Sequence, residues 1–231
     1  MATSPETLNE IIDQQAETNK QYLANLLLDL RFIDKLAVIA QYSKKSHIVS
    51  SFAIYKRGED FIFSEPIRPN LNEKGCHACK DPDLPSWVEP SIYQDDLCND
   101  ELICKNPGQQ LIGLFHTHIQ HNSHCDKEDP DAFCMPTITD LNEWHKNGLL
   151  ANSVTGILAC QDNQQSLVLC RAKRSINHTP MWAMYGDGRY LPAKALKQAM
   201  LHEGIVVSSI TLGSDILTYQ NQVLETVNKL V

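Results

Sequence analysis

Hydrophobic positions recur at helical spacing near the start of the chain. Within the range 5–41, leucine and isoleucine recur at helical spacing in two groups, Leu8–Ile12 and Leu23–Leu30, and Ser4 followed by Pro5 is typical of a helix start. The polar stretch Thr18–Gln21 interrupts this spacing, so we predict two helices, one on either side of it. Further predicted helices are Asp140–Asn147, Ala193–His202 and Ser214–Val231.

Between these helices, short apolar runs predict strands. Ser50–Tyr55 and Asp60–Ser64 flank the turn signal Arg57-Gly58, which predicts a hairpin centred on these two residues. A second hairpin is predicted around Asp162-Asn163. The predicted strands are Ser50–Tyr55, Asp60–Ser64, Leu111–Phe115, Val154–Cys160, Ser166–Arg171 and Ile205–Ile210. This order of strands and helices predicts a mixed α/β (α+β) fold.

The candidate chemistry lies directly after the apolar strand Leu111–Phe115. His116 and His118 follow it, and the two-residue alternation of a strand puts both imidazoles on one face. Two such histidines are typical zinc ligands, and a catalytic zinc site needs a third protein ligand. Thr137 can cap the next helix at its N-terminus, which places Asp140 in the first turn. We therefore predict a Zn²⁺ site made of His116, His118 and Asp140.

This pattern resembles the JAMM/MPN zinc metalloprotease superfamily, in which a His-x-His strand end precedes a Ser-x-x-Asp helix start. The resemblance covers about the middle third of the chain, with Thr137 in place of the family's serine. Asp140 follows His118 by 140 − 118 = 22 positions, about twice the family's spacing, so an insertion is expected between them. The acidic, Phe-containing loop Asp126–Cys134 looks similar to loops in the branch associated with polymorphic toxins.

The resemblance implies a central mixed β-sheet flanked by helices, arranged in three parts. Residues 1–45 would form a helical segment, and 46–175 the metal-binding domain with a cysteine-rich loop insertion at 70–108. Residues 176–231 would form a C-terminal α/β extension that packs on the same domain. The implied activity is that of a zinc metallopeptidase or isopeptidase, with Thr137 as a hydrogen-bond donor to the oxyanion.

The family's general base is a glutamate at the start of the first strand of the first hairpin. The matching region here, Ser46–Ser50, contains no glutamate. A hairpin centred on Arg57-Gly58 would put Glu65 across from Ser50, so Glu65 is the predicted substitute base. Without a base, the same scaffold would be a catalytically inactive binding or structural module, and this alternative stays open.

A second metal-site alternative uses the histidines that follow His118. The run from His116 to His121 looks similar to the His-x-His-x-Asp-His box of metallo-β-lactamases, but Gln120 replaces its aspartate. His178 and His202 would supply the later ligands of such a site, which we rank below the first. The residues His121, His124 and Cys125 are either accessory ligands or solvated loop residues.

Eight cysteines are many for a chain whose first residues lack a secretory signal. Four of them form a possible second zinc site or a set of disulfides, with free thiols as the third alternative: Cys76, Cys79, Cys98 and Cys104. Cys125 and Cys134 flank the acidic loop, and a bridge between them would close it. We expect a cytoplasmic protein, with export as an effector or toxin as the alternative.

Charge narrows the range of partners. The formal net charge of −8 argues against binding a nucleic-acid backbone, and no apolar run approaches the ~20 residues needed to cross a bilayer. We expect a peptide or a ubiquitin-like protein as the substrate, and the sequence does not indicate an oligomeric state. Four acidic residues between the proposed ligands predict a preference for basic, glycine-ended tails: Asp126, Glu128, Asp129 and Asp131.

Overall fold

Six strands form one mixed sheet in the computed structural model, which describes residues 5–46, 50–66, 109–119, 134–146, 148–152, 154–160, 165–185 and 192–231. The strand order across the sheet is β2-β1-β3-β4-β5-β6. The central pair β3–β4 is parallel, and the other neighbouring pairs are antiparallel. The strands are β1 Ser51–Arg57, β2 Asp60–Phe63, β3 Gln109–Ile119, β4 Thr155–Cys160, β5 Gln165–Ala172 and β6 Ile205–Leu212.

Helices cover both faces of this sheet. They are α1 Pro5–Leu28, α2 Leu30–Ser46, α3 Ile138–Lys146, α4 Leu149–Asn152, α5 Ala193–His202 and α6 Ile216–Leu230, with a 3₁₀ helix at Met181–Tyr185. The predicted mixed α/β fold is confirmed, and so is the helix that follows Thr137. None of the described helices combines the length and the apolar character needed to cross a membrane.

The two faces of the sheet carry separate apolar cores. On one face, α1, α2 and α6 pack against strand residues such as Phe52 and Phe115. On the other, α3, α4, α5 and the 3₁₀ helix pack against residues such as Leu114 and Ile157. Side chains alternate along a strand, so His116 shares the face of Leu114 whereas Thr117 shares the face of Phe115. The β6 and α6 elements, from the range 176–231, belong to the same sheet and core.

The break between the first two helices lies at Asp29, not at the predicted Thr18–Gln21. Side-chain hydrogen bonds between residues four apart support the helix through the polar stretch, including Gln21 to Asn25 at 2.7 Å. The Asp29 carboxylate instead accepts a hydrogen bond from the backbone N–H of Arg31 at 2.8 Å, which caps the start of α2. The position of the break is therefore set by this cap and not by hydrophobic spacing.

The first hairpin turns one residue later than predicted. Arg57 lies opposite Asp60, so the two-residue turn is Gly58-Glu59 and not Arg57-Gly58. Gly58 has φ of 62°, in the left-handed region that glycine adopts without the steric cost of a Cβ. The shift changes which residues of β1 and β2 face each other, and it moves Glu65 away from the position predicted for it.

Candidate metal site

Strand β3 holds His116 and His118 in the middle of the sheet. It lies between β1 and β4, with His116 opposite Ser51 on one side and Ile157 on the other. Both imidazoles are on the face covered by α3, and their exposed fractions are 1% and 6%. The apolar run before them is buried on both faces, which fixes the end of β3 and the direction of both side chains.

Asp140 is placed by the cap at the start of α3. The Thr137 backbone N–H donates to the Asp140 carboxylate at 2.6 Å, and the Asp140 N–H donates to the Thr137 hydroxyl at 3.2 Å. This reciprocal pair is a capping box, here with aspartate in the third helical position. Leu141 and Trp144 bury the inner side of α3 against the sheet, so the first turn faces the two histidines.

Three side chains thus meet in one buried cluster. His116 Nε2 lies 3.0 Å from His118 Nε2 and 3.1 Å from Asp140 Oδ1, and His118 Nε2 lies 3.5 Å from Asp140 Oδ2. Ligands about 2.0–2.1 Å from a tetrahedral zinc ion are about 3.3 Å apart, so these separations suit a shared metal. Among the described residues, these three form the group of His, Cys, Asp and Glu side chains placed to hold an ion.

The electrostatics of the cluster favour a negatively charged aspartate. Burial by itself would raise the pKa of the Asp140 carboxyl, but the charges and hydrogen bonds of His116 and His118 hold its pKa well below the usual range. The carboxylate is therefore available as an anionic ligand at neutral pH. Burial, with a contribution from Asp140, raises the pKa of the nearby Cys170 thiol, so Cys170 stays protonated and is a poor metal ligand.

Thr117, between the two histidines, points to the opposite face of the sheet and is fully buried. Its hydroxyl lies 2.7 Å from the Ser43 hydroxyl of α2 and accepts a hydrogen bond from the Ser50 N–H at 2.9 Å. The Thr117 N–H in turn donates to the Ser50 carbonyl at 2.9 Å. The end of β3 is thereby tied to β1 and to α2. Sequence reasoning missed this role, because it depends on the packing of α2.

The structure does not bring Glu65 to the cluster. Its side chain is 91% exposed and forms an ion pair with Lys35 of α2 at 2.9 Å. Helix α2 packs on the face of the sheet opposite the two histidines. The prediction of Glu65 as a neighbour of the metal site came from the misplaced hairpin turn. The glutamate in that turn, Glu59, is also remote from the cluster, because the turn lies at the end of β1 away from Ser51.

Replacing Glu65 with glutamine is expected to leave metal content unchanged and to lower stability by less than about 1 kcal/mol, because exposed ion pairs contribute little. Elemental analysis and urea unfolding of Glu65→Gln, beside Lys35→Gln as the matched variant, measure both quantities. A loss of bound metal in Glu65→Gln but not in Lys35→Gln would contradict this placement.

Ser51 occupies the place where the resemblance leads one to expect a glutamate. Strand β1 begins at Ser51, one residue after the range Ser46–Ser50 that was predicted to match the family's glutamate, and Ser51 lies directly opposite His116. Residues directly opposite each other in an antiparallel pair have their side chains on the same face. The sequence could not show this, because the start of β1 and its register with β3 depend on the whole sheet.

The remaining predicted ligands lie apart from the cluster or outside the described residues. His178 Nε2 lies 2.7 Å from the Glu203 carboxylate, and His202 Nδ1 lies 3.9 Å from the same carboxylate. Both histidines therefore lie beside Glu203 and not beside Asp140. This does not support the metallo-β-lactamase-like alternative. The residues that fall outside the described part of the chain are Cys76, Cys79, Cys98, Cys104, His121, His124, Cys125 and the acidic loop residues.

No protein-family model matches the chain, and a search of the curated proteins finds no match either. The interpretation of the cluster therefore rests on the residues that form it.

Proposed function

We propose that the protein is a zinc-dependent metallopeptidase that hydrolyses an amide or isopeptide bond. The observation that carries this proposal is the meeting of His116, His118 and Asp140 at separations that suit one metal ion. The elements that supply them are those expected from the JAMM/MPN resemblance: a buried strand ending in His-x-His and a helix with aspartate in its first turn. Two nitrogen ligands and one carboxylate are also a common ligand set of catalytic zinc.

The protein residues would divide the work between holding the metal and orienting the substrate. A zinc ion held by His116, His118 and Asp140 would lower the pKa of a water molecule and polarise a carbonyl group. Asp140 is held in place by the N–H of Thr137, which keeps the carboxylate directed at both histidines. The Thr137 hydroxyl, at the start of α3, would donate a hydrogen bond to the substrate carbonyl oxygen as negative charge develops there.

A second candidate function is a metal-binding module without hydrolytic activity. Two observations favour it: Glu65 is paired with Lys35 on the other face of the sheet, and Ser51 occupies the start of β1. In this case zinc would stabilise the fold or a partner-binding surface and would carry out no chemistry. The two functions differ in whether a general base is present. A carboxylate outside the described residues, such as Glu101, would supply one.

The proposed substrate is a basic, glycine-ended tail such as that of a ubiquitin-like protein. The acidic loop is joined to the site at both ends, because it connects β3, which ends at Ile119, with the helix that carries Asp140. Its negative charges would raise the local concentration of arginine-containing peptides in a salt-dependent way.

The test compares the zinc-loaded protein with protein stripped by a chelator. Substrates are paired ubiquitin-like conjugates with arginine or glutamate upstream of the scissile bond, at low and high salt. We expect cleavage that requires zinc, favours the arginine substrate and weakens as the salt concentration rises. If Glu101 is the base, Glu101→Gln abolishes this cleavage. Zinc binding without cleavage of any conjugate would favour the module without activity. Cleavage by the stripped protein would contradict the proposed mechanism.

A further inference from the structure

The hydroxyl of Ser51 is a buried polar group without a hydrogen-bond partner among the described residues. Ser51 is 0% exposed, and in the part of the chain that the structure describes its Oγ atom makes no hydrogen bond. The buried hydroxyls of Ser208 and Thr226, by contrast, pair with each other at 3.0 Å. Buried polar groups in native proteins nearly always have a partner, so an unpaired hydroxyl indicates a bound water or ligand atom.

The register of the sheet places this hydroxyl beside the metal ligands. The Thr117 N–H donates to the Ser50 carbonyl, so Ser50 and Thr117 form a hydrogen-bonded pair. The next pair along, Ser51 and His116, is then of the non-hydrogen-bonded type, in which facing side chains approach each other most closely. Ser51 Oγ therefore lies on the face of His116, next to the cluster and not behind it.

We propose that Ser51 binds the oxygen atom of the ligand that occupies the metal's open position, as a hydrogen-bond donor to that atom. This inference rests on the proposed metal site. Three protein ligands leave a fourth position for water or a substrate oxygen, and a serine hydroxyl can donate to either. Ser51 is thereby a binding residue of the site, and its hydroxyl is satisfied when that position is filled.

The alternative is that Ser51 is a small side chain that only fills space at the start of β1. The two roles differ in what alanine would do. If the hydroxyl serves a bound oxygen, Ser51→Ala leaves the stability of the metal-free protein unchanged, because the hydroxyl makes no hydrogen bond to any described residue. Ser208→Ala is the matched control, because it removes a buried hydroxyl that does have a protein partner, far from the cluster.

The experiment uses cobalt(II) in place of zinc and acetate as the oxygen ligand. Visible spectra of the cobalt-loaded full chain report acetate binding, and urea unfolding in chelator reports metal-free stability. In Ser51→Ala we expect an acetate Kd roughly tenfold higher, as for the loss of one hydrogen bond to a charged group, with unchanged stability. In Ser208→Ala we expect the reverse, an unchanged Kd and lower stability. Ser51→Thr keeps the hydroxyl and should retain most of the acetate affinity.

The outcomes separate this inference from the proposed function. Cobalt binding with the same acetate Kd in wild type and Ser51→Ala, or no acetate binding by the wild type, overturns the role of Ser51 and leaves the metal site in place. Failure of the wild type to bind cobalt at His116 and His118 overturns the metal site itself, and the role of Ser51 with it.

Discussion

Replacing His118 with alanine is expected to remove about one equivalent of zinc from the purified protein while the fold persists. His118 offers one of the three candidate ligand atoms, and a catalytic-type site left with two would lose most of its affinity. The fold should persist because His116 still lies 3.1 Å from the buried Asp140 carboxylate and keeps it paired. Elemental analysis gives the zinc content, and far-ultraviolet circular dichroism reports the fold.

Two further variants sharpen this prediction. Asp140→Asn keeps a side-chain oxygen for the Thr137 N–H but removes the negative charge, so it should lose zinc without losing the cap of α3. His178→Ala is the matched control, because His178 is a histidine paired with a carboxylate outside the cluster. Zinc content that stays unchanged in His118→Ala and Asp140→Asn would contradict the assignment of the ligands.

Thr117→Val is expected to lower the free energy of unfolding by about 2–4 kcal/mol and to weaken metal binding as well. Valine has nearly the same shape but cannot pair with the Ser43 hydroxyl or accept from the Ser50 N–H. Leaving a buried polar group unpaired costs about 1–3 kcal/mol, and here two groups are affected. The end of β3 would also lose its tie to α2, and both histidines are on that end.

Thr155→Val is the control for this prediction. Thr155 is also fully buried, on the neighbouring strand β4, but its hydroxyl makes one long hydrogen bond of 3.3 Å to the Cys170 carbonyl. We expect a cost of about 1 kcal/mol and no change in zinc affinity for this variant. Urea unfolding and zinc titration against a competing chelator measure both effects. Equal behaviour of the two valine variants would contradict the positioning role of Thr117.

The meeting of His116, His118 and Asp140 could be predicted from the sequence because the rules that place these residues are local. The alternation of a strand puts His116 and His118 on one face, and a capping threonine puts Asp140 in the first turn of a helix. The meeting of strand end and helix start follows from the apolar residues on either side of them. These parts of the prediction needed no knowledge of distant contacts.

The parts that failed depend on a single residue's choice of conformation or on distant packing. Whether Arg57 or Gly58 begins the turn of the first hairpin changes the register of the hairpin, and it decided the position of Glu65. The sequence did not reveal the break at Asp29, because polar residues such as those at Thr18–Gln21 can continue a helix although they interrupt its hydrophobic spacing. The partner of Thr117 on α2 is 74 positions away in the sequence. Hydrophobic spacing carries no information about such contacts.

We propose that His116, His118 and Asp140 bind one metal ion together. The most direct test is a crystal structure of the zinc-loaded protein, with anomalous diffraction recorded on both sides of the zinc absorption edge. We predict one anomalous peak about 2.0–2.2 Å from His116 Nε2, His118 Nε2 and an Asp140 carboxylate oxygen. The contradicting result is the absence of a peak there, with the two imidazoles and the carboxylate joined directly by hydrogen bonds.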